Sequence, residues 1–177
     1  MTGKNGSWHI ELDGISQETA LKIAERDDVV SIGAVTIFNP DGELPYRMDG
    51  KRVVLYGIDE SYLTMNSTGA AEGRFPQGMG EIMLSSNAAR VLQVAVGDTV
   101  TLRTPSGDWD FTVSGLGGVE ESYYSGQYSL MDAYLPRTAF AALMEQNNVH
   151  NLQTSYYVQF TSASKAAKAI PELTAQH

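Results

Sequence analysis

The residues of this chain whose types could do chemistry are dispersed rather than grouped. Its three histidines, His9, His150 and His177, lie far apart and share no metal-ligand spacing, so they read as surface residues or as supports for neighbouring groups. Asp27 with Asp28 and Glu120 with Glu121 could in principle supply the two carboxylates of a glycosidase, but acids adjacent in sequence read as solvated surface. Asn39, Asp41 and Glu43 place oxygen ligands around Gly42 yet miss the spacing of a calcium loop. Gly115-Leu116-Gly117-Gly118 follows a strand as a dinucleotide loop would. It lacks the third glycine at the required spacing, however, and leads into Glu-Glu-Ser-Tyr-Tyr instead of a helix. There is no Gly-x-Ser-x-Gly elbow, no Walker loop and no His-Glu-x-x-His helix. With no cysteine, disulfides, thiolate catalysis, iron–sulfur clusters and Cys-based zinc sites are excluded together. The expectation is a protein that is not an enzyme and needs no cofactor or metal.

One grouping suits recognition instead. Tyr123, Tyr124 and Tyr128 sit among small residues beside Glu120 and Glu121. Tyrosine supplies a large contact area at low entropic cost, and two acids favour a cationic ligand. These five residues are the candidate contact with a substrate or partner. The competing reading is that the rings cover a junction between subdomains.

The elements that must position this loop are legible from periodicity. Trp8, Ile10 and Leu12 alternate with polar residues as in a half-buried strand, and Ser16 offers the N-cap of a helix with Ala20, Leu21, Ile23 and Ala24 inward, ending near Arg26. Residues 29–38 (VVSIGAVTIF) read as a more central strand. Later, residues 128–135 read as a strand and Pro136 opens a helix carrying Ala139, Phe140, Leu143 and Met144. Residues 154–160 return as a strand, and a last helix from Ser162 is expected to stop at Pro171. Two strand–helix–strand units thus bracket a middle that opens after the turn-rich residues 39–51.

That middle is strand-rich. Residues 51–58 and 81–84 read as strands, Ser85 or Ser86 caps a short helix through Leu92, and residues 99–103 and 108–116 form a hairpin around Thr104-Pro105-Ser106-Gly107. The fold class expected is α+β, with a small β-rich subdomain inserted between crossings near residues 45 and 120.

Charge narrows the partners. Twelve Lys and Arg against 21 Asp and Glu give a net charge of -9, with the basic residues scattered, so nucleic acid and anionic lipid are disfavoured. The longest nearly apolar run, residues 29–38, is about half of what a spanning helix needs. The opening residues MTGKNGS carry no apolar core of a signal peptide.

The most specific stretch is residues 73–116. Gly73-Arg74-Phe75-Pro76, then Glu81 leading a strand, then Ala88 and Leu92, then Val96-Gly97-Asp98-Thr99-Val100, then a strand ending Val113-Ser114-Gly115-Leu116, follow one another in order. In that order they resemble the extracytoplasmic core domain of MacB-like and FtsX-like ABC-transporter permeases. The physical roles of these residues are those of a scaffold. Gly97 and Asp98 suit a tight turn with positive φ and a local side-chain hydrogen bond, Gly73 lets the chain reverse beside Pro76, and Arg74 can brace that turn through carbonyls or a carboxylate.

The resemblance implies that residues 1–44 and 121–177 form a porter-like subdomain and residues 45–120 an inserted β-rich, Sabre-like subdomain. It implies an extracytoplasmic domain of a bacterial cell-membrane permease that carries the motion of the membrane helices to substrate or partner handling outside. The implied partners are a cytoplasmic ABC ATPase, a second permease copy and an extracytoplasmic adaptor, peptide or lipoprotein. The implied substrates are an antibiotic, peptide or lipoprotein for export or extraction. Turns near Pro45 and at Gly117 and Gly118 are the expected hinges. Residues 117–127 match no motif of that family. The alternative is a freestanding secreted module that binds peptide or carbohydrate.

Overall fold

The computed structural model describes residues 8–38, 45–65, 70–117 and 131–175. The element order begins β1 (Ile10–Asp13), α1 (Gln17–Ala24), β2 (Val29–Phe38), β3 (Arg47–Met48), β4 (Lys51–Ile58), α2 (Glu60–Met65) and β5 (Ala70–Gly73). It continues with β6 (Glu81–Leu84), α3 (Ser86–Leu92), β7 (Thr99–Thr104), β8 (Gly107–Gly117), β9 (Met131–Pro136), α4 (Arg137–Gln146), β10 (Leu152–Phe160) and α5 (Ala163–Thr174). The chain is of mixed α+β class, and the capping serines act as expected: Ser16 accepts from the Thr19 amide and Ser85 from the Ala88 amide.

Strand pairing ties these elements into one ten-stranded sheet that closes on itself at one side. β3 pairs β4, β4 pairs β9, β9 pairs β6, β6 pairs β8, β8 pairs β7, and β7 returns to β3, which makes a six-stranded barrel. The rest of the sheet runs β1-β10-β2 and joins the barrel where Val35, Thr36 and Ile37 pair with Ile58, Gly57 and Tyr56 of β4. β4 is therefore common to both parts. β9 lies parallel to it over six residue pairs, from Val53↔Met131 to Ile58↔Pro136.

Period-2 alternation sorts the side chains of these shared strands between two cores. Val53 and Leu55 of β4, Met131, Ala133 and Leu135 of β9, and Ile82 and Leu84 of β6 fill the barrel with Val100, Leu102, Phe111 and Val113. Phe140, Leu143 and Met144 of α4 complete that core. The alternate residues Ile58, Tyr134 and Met83 join Tyr62, Leu63 and Met65 of α2 and Tyr157 in a second core outside the barrel. α1 and α5 cover β2 and β10 through a third core built on Ile23, Val158, Phe160, Ala169 and Leu173. Two glycines permit the closest layers: a Cβ at Gly33 would lie 2.5 Å from the Tyr62 backbone nitrogen, and one at Gly57 would lie 2.7 Å from the Phe140 ring.

Several local expectations are corrected. Leu21, 59% exposed, and Ala24, also exposed, do not face inward, because the buried stripe of α1 is set by Ala20 and Ile23 alone and the positions beside them turn away from the sheet. α1 ends at Ala24, and Arg26 lies in the following turn, where its Nε and Nη2 donate to the two carboxylate oxygens of Asp28. Pro171 does not stop the last helix. It lies inside α5, where Leu173, two residues on, is buried in the third core and holds the final turn in place. α2, β3 and β5, of six, two and four residues, are additional to the elements expected from the sequence.

Candidate functional site

The loop chosen from sequence, with Glu120, Glu121, Tyr123, Tyr124 and Tyr128, lies outside the described residues. Its two roots are described: Gly117 ends β8 and Met131 begins β9. The residues at and beside these roots form three distinct arrangements.

The first is a clasp made by the family-like residues. Gly73 has φ of +70°, and a Cβ there would lie 2.2 Å from the Ser114 carbonyl oxygen. At Gly115 a Cβ would lie 2.5 Å from the Arg74 carbonyl oxygen, so both positions need glycine where β5 crosses β8. The Arg74 amide donates to the Ser114 carbonyl at 2.9 Å, and the Ser114 hydroxyl donates to the Arg74 carbonyl at 3.1 Å. The Arg74 side chain reaches Glu81: Nη1 donates to Oε1 at 2.9 Å and Nη2 to Oε2. Glu81 also accepts from the Gln77 amide at 3.0 Å, and Pro76 is buried between them. The Arg74 hydrogen bond first, then the Gln77 amide, holds the Glu81 carboxyl below the usual carboxylate range. Nearby, Gly97 has φ of +96°, and Asp98 Oδ2 accepts from the Ala95 amide at 2.8 Å. The clasp fixes backbone: its one hydroxyl and its one carboxylate are both engaged in internal hydrogen bonds.

The second arrangement is Asp132, the second residue of β9 and 7% exposed. Its amide donates to Ser85 Oγ at 3.3 Å and its carbonyl accepts from the Ser85 amide at 2.9 Å, which binds β9 to the start of α3. Its carboxyl accepts no hydrogen bond among the described residues. Burial alone pushes its pKa up to about 6. Sequence reading passed over it inside the run YSLMDAYL, although a lone acid in a strand apolar on both faces was the available sign.

The third is the ion pair of Asp59 and Arg137, 78 positions apart and absent from any sequence motif. Arg137 Nε donates to Asp59 Oδ1 at 2.8 Å, Asp59 Oδ2 accepts from the Ala34 amide at 2.9 Å, and the guanidinium lies 5.6 Å from the centre of the Tyr156 ring. Burial works against the charge of Arg137, and the hydrogen bond and attraction of Asp59 outweigh it, so its pKa is raised. The pair links α4 to β2 and the start of α2. No nucleophile stands beside it.

The remaining chemistry-bearing residues are placed apart. His9 Nδ1 accepts from the Phe160 amide at 3.0 Å, a role in joining β1 to β10, and His150 is exposed. No group of three His, Asp or Glu among the described residues is disposed to hold a metal. No helix among them is long and apolar enough to cross a membrane.

A family model described as the MacB-like periplasmic core domain matches residues 3–176. The chain belongs to this family. Three solved structures share its fold. The periplasmic region of MacB from Actinobacillus actinomycetemcomitans is 14% identical with a TM-score of 0.61, over 92% of this chain and 74% of that one. The extracellular domain of the noncanonic ABC-type transporter YknZ, from Gram-positive bacteria, is 15% identical with a TM-score of 0.58, over 87% and 77%. A permease-protein domain from Porphyromonas gingivalis is 17% identical with a TM-score of 0.58, over 98% and 78%. No curated protein matches the chain. The expectation drawn from residues 73–116 is met. The proteins that this MacB-like periplasmic core domain resembles are transporter domains.

Proposed function

We propose that this chain is the extracytoplasmic part of an ABC-transporter permease and that it carries the ATP-driven motion of membrane helices to a substrate or partner outside the membrane. The family match over residues 3–176 is the observation that carries this reading. The proposed partners are a cytoplasmic ABC ATPase, a second permease copy, and an adaptor, peptide or lipoprotein; the proposed cargo is an antibiotic, peptide or lipoprotein.

The register supports a particular way of working. In the proposed division, residues 1–44 and 121–177 are porter-like and residues 45–120 an insert, yet β4 of the insert pairs both β2 and β9 of the flanks. Motion applied to β1 and α5, the elements nearest the two ends, would reach the barrel through continuous hydrogen-bonded strands. The domain then acts as one rigid lever, in place of two parts hinged near Pro45 and Gly117. In this proposal the residues Glu120, Glu121, Tyr123, Tyr124 and Tyr128, which follow β8 and precede β9 in the chain, are what meets the partner.

Two experiments test this. The coding sequence on either side should show one apolar span of about 20 residues before this segment and three after it; a signal peptide and a stop codon framing it would remove the mechanism. In the intact transporter, Tyr123→Ala with Tyr124→Ala should impair substrate or partner handling with the melting temperature nearly unchanged. Loss of the fold in that variant would make the rings part of the core instead.

A further inference from the structure

A cavity of about 420 Å³ opens over β2 and β10, between the start of α1 and the start of α4, a size that accepts a small molecule. Its floor is the hydroxyl pair of Thr36 and Thr154, 2.8 Å apart. Ile58, Phe75, Ala141 and Leu152 give its lining apolar surface. Arg137 and Asp59 give it charge.

These two charges are not equivalent. Both carboxylate oxygens of Asp59 are used inside the protein, one by Arg137 Nε and one by the Ala34 amide. Arg137 hydrogen-bonds Asp59 through Nε and lies against Tyr156, which also favours its charge; among the described residues its two terminal nitrogens make no hydrogen bond to Asp59. A planar guanidinium anchored in this way keeps a pair of donors whose spacing matches a carboxylate. Glu60, the other acid at the cavity, is exposed to solvent, where its charge is screened.

We propose that this cavity binds a small amphipathic carboxylate, with the anionic group on Arg137 and the apolar body against Ile58, Phe75, Ala141 and Leu152. The binding is a property of this chain and is independent of the transporter reading. The clasp of Arg74 and Glu81 takes no part in it.

The test uses octanoate, below its micellar concentration, titrated into the ¹⁵N-labelled chain, with octylamine as the cationic counterpart of equal chain length. Octanoate should saturate and shift the amide signals of Arg137, Thr138 and Thr36, while octylamine leaves them in place. Ala141 is exposed on α4, so Ala141→Phe fills the cavity without disturbing a core and should weaken octanoate at least tenfold at an unchanged melting temperature. Arg137→Lys keeps the charge and loses the fork, and should also weaken binding. If that variant does not fold, Ala141→Phe decides alone. Absence of saturation, binding of octylamine in place of octanoate, or octanoate affinity unchanged in Ala141→Phe would overturn the proposal.

Discussion

Arg74 and Glu81 face each other as a two-pronged ion pair across the turn that carries Pro76, with Nη1 on Oε1 and Nη2 on Oε2. Arg74 is more than half exposed, so solvent weakens the pair, and its main effect is to fix the turn. The folded-state pKa of Glu81 is depressed, so its contribution is present above the ordinary carboxylate value and is lost as pH falls through the lowered one. Thermal melts of Glu81→Gln against the parent chain should show a small deficit at pH 7 that disappears under strongly acidic conditions. A deficit independent of pH would assign the effect to packing instead.

Asp132 has the opposite sign. Its pKa is raised from the ordinary 3.8 to about 6 by burial, so the folded chain holds a proton that the unfolded chain has released. Stability should therefore fall as pH rises between those values, with the full penalty present above pH 6. Asp132→Asn removes the charge at nearly constant volume. Denaturant titration at pH 8 should show the variant more stable by about 2 kcal/mol, with the gain vanishing near pH 4.

The close approach of layers at Gly33 and Gly57 predicts a contrast among glycines. Gly33→Ala would put a methyl against the Tyr62 backbone, and Gly57→Ala would put one against the Phe140 ring. Each should cost about 2 kcal/mol or more, since neither neighbour is the free end of a flexible side chain. Gly80 has open space around the same position, and Gly80→Ala should stay within about 0.5 kcal/mol of the parent. Chemical denaturation of the three variants side by side gives the comparison.

A rigid lever should give one distance between its two ends. The chain has no cysteine, so paired cysteines at Leu21 and Met79, 59% and 52% exposed, would be the only labelling sites. Leu21 reports α1 over the open sheet, and Met79 the turn leading into β6 of the barrel. Pulsed electron-spin measurements should return a single narrow distribution. Two populations, or one broad one, would restore a hinge between the parts.

Elements whose information is local were legible in the order of residues alone. The strand patterns of residues 51–58 and 99–116, the capping serines Ser16 and Ser85, and the turn at Gly97 and Asp98 each depend on residues within a few positions, and those elements stand where the pattern puts them. Local reading also set the α+β class and, through five motifs in order, the family. It erred where a local rule was outweighed by packing, as at Pro171, where burial of Leu173 keeps the helix going, and at Leu21, which its neighbours turn outward. Features that depend on distant pairs emerged with the folded chain. Closure of the barrel needs β7 to return to β3, the ion pair of Asp59 and Arg137 spans 78 positions, and the pKa of Asp132 follows from strands that come from three parts of the chain. Pairing and burial of that kind arise from long-range register, which no short window of sequence contains.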